Sequence, residues 1–288
     1  MQRILCGSAV CAVCGPGVWA ARRQEITVAC RAASELGLVT VLVTLTVPHD
    51  RRTRLVDELD MLLRGWKAIA GAGRSWRRMK ERFGIAGHIR ALEVEDAPNG
   101  WHAHYHAVFF LRRDAREEVV QEFVAGIAEV WLGTLGLTGA RSAEVGKLVH
   151  GKALHRPESS IGGYLTKGPA ATITDFAEAV LEGGQPARVA RMRWRELQQE
   201  LTGRTRVAFS RGVKMLVRKV QSLRSWCQMT RPQQGAESQV PPTTAASSQP
   251  KPGPERIPRE RGPSGWLGRV PRLVRGKLAQ YRSWGRRT

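Results

Sequence analysis

Three of the seven histidines in this chain, His102, His104 and His106, stand at every second position of one segment and run straight into the apolar stretch Ala107 to Leu111. Alternation of this kind describes a β-strand, in which successive side chains point to opposite faces, so the three imidazoles share one face. Asp96-Ala97-Pro98-Asn99-Gly100 immediately before it is turn chemistry, and Ile85 to Glu95 reads as a strand. The histidines therefore sit on an antiparallel hairpin. Neutral imidazoles at fixed spacing on a rigid strand can hold a divalent metal, which makes a metal-dependent active site the first expectation.

The surrounding pattern is that of an α+β domain. Val39 to Val47, VTVLVTLTV, is β-branched and mostly apolar, as a buried strand should be. Leu55, Leu59, Leu62, Leu63, Trp66 and Ile69 recur at helical spacing within Arg51 to Ala70, and Gly71-Ala72-Gly73 ends that helix. Asp114 to Leu135 reads as an amphipathic helix with Asp114 as its N-cap. Gly136 to Gly163 is less regular, and Arg188 to Gln221 reads as largely helical with breaks near Gly203 and Gly212. The expected architecture is an antiparallel sheet carrying the histidine hairpin, flanked by helices. Residues 1–35 form a cysteine-containing N-terminal segment, 36–225 the main domain, and 226–288 a disordered Pro- and Arg-rich basic tail, whose composition cannot bury enough apolar surface to order itself. Within that tail Gly265 to Tyr281 could form a short basic helix.

A formal charge of +21 calls for a polyanionic partner. No apolar run reaches the ~20 residues of a membrane-spanning helix, so nucleic acid is expected rather than a membrane. Arginine is the dominant cation, either for bidentate phosphate contacts or as a trace of GC-rich coding. Ile4 to Ala21 loosely imitates a signal peptide, but Gly15-Pro16-Gly17 interrupts it and three cysteines lie inside it. The five cysteines are thus read as reduced thiols of a cytoplasmic protein.

Downstream, Tyr164 and Lys167 lie three residues apart, on one face of a helix. A tyrosine hydroxyl can attack phosphorus once a metal polarises the phosphate, and a lysine can steer it. Of the other two tyrosines, Tyr105 points to the opposite strand face and Tyr281 lies in the tail. The order VTLTVPH (Val43 to His49), RALEVEDAPNGWHAHYH (Arg90 to His106), YLTK (Tyr164 to Lys167) and RWRELQQELTGRTRVAFSRGVK (Arg193 to Lys214) resembles the rolling-circle replication initiators of plasmids and mobile elements, the single-tyrosine HUH endonucleases. The resemblance covers roughly residues 1 to 220. It implies Mg²⁺ or Mn²⁺ held by His104 and His106, with Tyr105 as the bulky residue between them, Tyr164 as nucleophile and Lys167 one turn on. Pairing across the turn puts Glu93 opposite His104 as third ligand, with Glu95 on the same face as the alternative and His102 flanking. Glycines at 162, 163 and 168 and Pro169 predict a short tyrosine helix. Some family members place an activating carboxylate just before the tyrosine; here Glu158 is the nearest acid.

The expected reaction is nicking of single-stranded or hairpin origin DNA, leaving a 5′-phosphotyrosyl link and a 3′-OH primer, with later rejoining. No P-loop pattern is present, so host helicase and DNA polymerase are the implied partners. A transposase of the same chemistry and a non-catalytic basic nucleic-acid-binding protein stay open; a relaxase usually carries its tyrosine before the histidines. Cys6, Cys11 and Cys14 have spacing suited to a structural Zn²⁺, although a closed site needs four ligands; the alternative is small buried side chains. Arg74, Trp76, Arg77, Arg78 and Lys80 combine charge with an aromatic for DNA contact, or form a solvated helix face.

Overall fold

The computed structural model describes residues 6–71, 73–137 and 146–229, with backbone alone for 167–171 and 226–229. The described residues as far as Ser225 form one compact unit. The expected disorder and short helix of the tail fall on residues outside those described.

The chain runs α1 (Gly15–Glu35), β1 (Val39–Thr46), α2 (Leu55–Ala70), α3 (Arg74–Phe83), β2 (Gly87–Ala97), β3 (Gly100–Leu111), α4 (Glu117–Thr134), β4 (Val149–Leu154), α5 (Pro157–Glu182), α6 (Gly184–Leu201), β5 (Val207–Phe209) and α7 (Arg211–Met229). Its five strands pair antiparallel in the order β4-β1-β3-β2-β5, flanked by helices. The α+β class expected from the sequence is the class observed.

Strand alternation sorts the sheet into two faces. Val41, Val43 and Leu45 of β1 share one face with Ala103, Tyr105, Ala107, Phe109 and Leu111 of β3. They form the larger core with Leu55, Leu59, Leu62 and Trp66 of α2, Phe83 of α3, and Phe123, Ile127 and Trp131 of α4. Leu42, Ile89, Ala91, Val108 and Phe110 on the other face pack on Ile26, Cys30 and Ala33 of α1 and on Ile161 and Leu165 of α5. The even-numbered histidines of β3 belong to this second face.

Four expectations change. The tyrosine helix is 26 residues long and runs through Gly162, Gly163 and Pro169. Burial of Ile161 and Leu165, then of Ile173 and Phe176, outweighs the poor propensity of those positions. Gly162 is required by packing, because a Cβ there would lie 2.6 Å from Thr27 Oγ1 and 2.8 Å from the Arg23 carbonyl of α1. The irregular stretch before it contains β4, and the break after α6 contains β5. The fourth helix begins at Glu117, with Arg116 rather than Asp114 at its N-cap position.

Candidate metal and nucleophile site

The hairpin register sets Glu93 opposite His104, and Thr44 of β1 lies opposite His106. On the second face Glu93 Oε2 is 3.0 Å from His104 Nε2 and 2.8 Å from His106 Nε2, and the two ring nitrogens are 3.1 Å apart. All three side chains are buried, and these ligand atoms converge on one point. Thr44 Oγ1 is 3.0 Å from His106 Nδ1, which fixes the ring with Nε2 facing inward. Glu95, the other acid of that face, is exposed and stands outside the cluster.

Two imidazole N–H groups this close would repel each other. Three lone pairs aimed at a common point suit a cation between them. Burial raises the Glu93 carboxyl, but hydrogen bonding and charge from His104 and His106 outweigh it and hold Glu93 at about 2. Two imidazole nitrogens and a carboxylate oxygen form a donor set that fits a divalent metal ion.

Two groups lie behind the cluster: His102, which the sequence reading places as a flanking residue, and Glu58, to which it gives no role. His102 is half-buried, its ring centroid 4.8 Å from that of His104, and its Nδ1 lies 3.4 Å from His49 Nε2. Burial, with His104 and His49 close by, lowers His102 to about 4, so it is neutral at pH 7. Glu58 of α2 is fully buried and accepts the Ala103 N–H at 3.0 Å. It takes over as partner of β3 where β1 ends at Thr46, pinning the backbone between His102 and His104. Burial pushes its carboxyl up to about 7, and its Oε1 finds no partner among the described residues. The sequence signal for Glu58 is an acid at helical spacing inside the apolar stripe Leu55, Leu59 and Leu62.

Tyr164 projects from α5 over this cluster, half exposed, with its ring centroid 4.9 Å from that of His106. Burial, then the charges of Glu93 and Glu95, raise its phenol, which is therefore protonated at neutral pH. Lys167 lies on the same helix one turn later, and its side chain is outside the described atoms. Glu158, in the first turn of α5, accepts a hydrogen bond from Ser34 of α1 at 3.0 Å.

Cys6, Cys11 and Cys14 come together before α1, their sulfurs within 4.8 Å of one another. Backbone N–H groups of Cys14 and Val13 lower the Cys11 thiol to about 7. No fourth His, Cys or acid among the described residues joins them, and Cys30 is instead buried in the α1 core. On α3, Arg74, Arg77, Arg78 and Lys80 are exposed. Trp76 is buried, its ring edge-on to His88 at 5.5 Å and near Phe109, so it is not presented for base stacking. An aromatic within a basic run served the core here, because it falls on the helix face shared with Met79 and Phe83.

No family model matches the chain, and no solved structure matches it. It is similar to a Streptomyces lividans protein named Protein rep, at 31% identity over 143 residues, covering 40% of this chain and 31% of that protein. The chain thus spans about a third of the length of the curated relative it matches. No helix among the described residues is long and apolar enough to cross a membrane.

Proposed function

We propose that this protein is a rolling-circle replication initiator that nicks single-stranded origin DNA with Tyr164. The observation carrying the proposal is the Glu93–His104–His106 cluster on a strand face with the Tyr164 ring against it. Similarity to a protein named rep supports the replication context.

In this reading Glu93, His104 and His106 hold Mg²⁺ or Mn²⁺, which when bound supplies Lewis-acid polarisation of the scissile phosphate. Thr44 keeps the His106 ring oriented, and Glu58 keeps the β3 backbone in place. The half-exposed Tyr164 hydroxyl loses its proton as its oxygen bonds to phosphorus. The P–O3′ bond of the preceding nucleotide breaks, giving a 5′-phosphotyrosyl link and a free 3′-OH. Lys167 is placed one turn along α5 to steer the phosphate or stabilise the phenolate. Rejoining runs the same exchange in reverse. Arg74, Arg77, Arg78 and Lys80 supply salt-sensitive phosphate contacts along α3. Cys6, Cys11 and Cys14 offer three of the four ligands that a structural Zn²⁺ needs.

The test is incubation with Mn²⁺ and labelled single strands covering the protein's own replicon. A protein–DNA adduct that survives denaturation and is absent from Tyr164→Phe is the expected result. Tight binding with no adduct on any strand would refute the nicking reading.

A further inference from the structure

Beside the hairpin tip, α5 and α6 flank an open cleft of about 940 Å³ that the nicking chemistry does not use. Its walls include Glu95 and Asp96 from β2, Asp175 and Phe176 from α5, and Pro186 and Val189 from α6. The volume is that of an ordinary small-ligand site. Phe176, Pro186 and Val189 offer apolar surface to a flat ring, and the carboxylates can only accept hydrogen bonds.

The charge pattern here is the reverse of the chain's average. Among the described residues no lysine or arginine lines the cavity, although the chain has 46 of them. The nearby Arg193 is engaged elsewhere: its Nε donates to Asp96 at 3.1 Å, and its guanidinium lies 3.9 Å from the centre of the Trp101 ring. Asp96 is thereby compensated, whereas Glu95 and Asp175 make no ion pair among the described residues. Such walls repel a phosphate. They accept a flat group that is apolar on its faces and rich in N–H donors along its edge.

Position links this cavity to the strand that is cut. Glu95 shares its sheet face with Glu93, two residues back, and the charge of Glu95 bears on the Tyr164 phenol. Helix α5 carries both Tyr164 and Asp175, separated by about 16 Å of helix. A strand with its scissile phosphate under Tyr164 therefore brings a base to the cavity within a few nucleotides.

We propose that this cavity is a nucleobase subsite for a guanine unstacked from that strand, its N1–H and N2–H groups donating to Asp175 and Glu95 and its ring lying against Phe176, Pro186 and Val189. The inference rests on the nicking reading for the identity of the strand. Guanine is the base whose Watson–Crick edge carries two adjacent N–H donors, one for each of these two carboxylates. Cytosine and adenine bring one amino group, and thymine brings carbonyls that face the acids.

The test uses the full chain with Tyr164→Phe, so that binding is read without cleavage. The probes are fluorescent thymidylate strands of about twelve nucleotides, a length within single-strand site sizes, each carrying one guanine, adenine or cytosine in turn at each position. The expected result is that guanine at one position binds at least about fivefold tighter than the other bases, the lower end of what a pair of hydrogen bonds to one base edge provides. Asp175→Asn in the same background should abolish that preference. Equal binding of all strands, or a guanine preference that survives Asp175→Asn, would overturn the proposal. Adducts formed by the Tyr164-containing protein on strands of its own replicon decide the nicking reading separately. Adducts without a guanine preference in the binding scan leave nicking standing and remove the subsite. A guanine preference without adducts leaves the subsite standing and removes nicking.

Discussion

Glu58 sets a pH-dependent stability that a single isosteric substitution should erase. Its carboxyl is fully buried and sits at about 7 in the fold, against an ordinary value of 4.5. A raised carboxylate favours its protonated form in the native state, so its contribution is fully present below pH 4.5 and is lost as pH rises through 7. Between pH 5 and pH 8 the loss integrates to about 2.5 kcal/mol, at 1.36 kcal/mol per unit. Glu58→Gln keeps the shape and an oxygen for the Ala103 N–H, yet cannot ionise. Urea unfolding at both pH values gives the double difference between the two proteins, in which every other titrating group cancels. Glu58→Gln should gain on the unsubstituted protein by about 2–3 kcal/mol from pH 5 to pH 8. An identical difference at the two pH values would refute the assignment of the shift to this buried group.

Thr44→Val removes the partner of His106 Nδ1 and should weaken Mn²⁺ binding about 10- to 100-fold, as loss of a residue orienting a metal ligand does; titration calorimetry measures it, and an unchanged affinity would mean that the ring is held by packing alone. Gly162→Val drives a side chain into Thr27 and the Arg23 carbonyl, so thermal unfolding should show a loss of about 1–3 kcal/mol, with nicking falling further as Tyr164 moves. If Cys6, Cys11 and Cys14 hold zinc, purified protein should contain one equivalent by metal analysis, and a chelator should lower its melting temperature. Cys14→Ser should remove both the metal and the chelator response; a metal-free protein with the same melting temperature would assign the thiols to packing.

The hairpin was legible because it is written in short-range terms. Alternation fixed the histidine face, and turn residues fixed the pairing that puts Glu93 opposite His104. Tyr164 could be singled out by scarcity, yet its place over His106 depends on α5 crossing the sheet, which no local pattern states. The long span of α5 was hidden by three glycines and a proline, whose poor propensity is overridden by contacts with α1 and the sheet. Glu58 was hidden because its partner is a backbone N–H some 45 residues away in sequence. Trp76 misled because a helix serves two environments at once, and neighbours in sequence point to opposite ones.

The two sheet faces explain why the core and the site stand or fall together. Along β3 the even positions change from Phe110 and Val108, which pack under α1 and α5, to His106, His104 and His102, while every odd position from Trp101 to Leu111 stays buried. A slip of one residue between β2 and β3 would turn the histidines into the larger core and bring Tyr105 and Phe109 out beneath α5. That register is costly to leave, because Phe109 alone packs on Trp66, Trp76, His88 and Phe123. The apolar face therefore holds Glu93 opposite His104 more firmly than any contact within the cluster does. It follows that these three polar side chains are kept converged by packing on the side of the sheet they never touch.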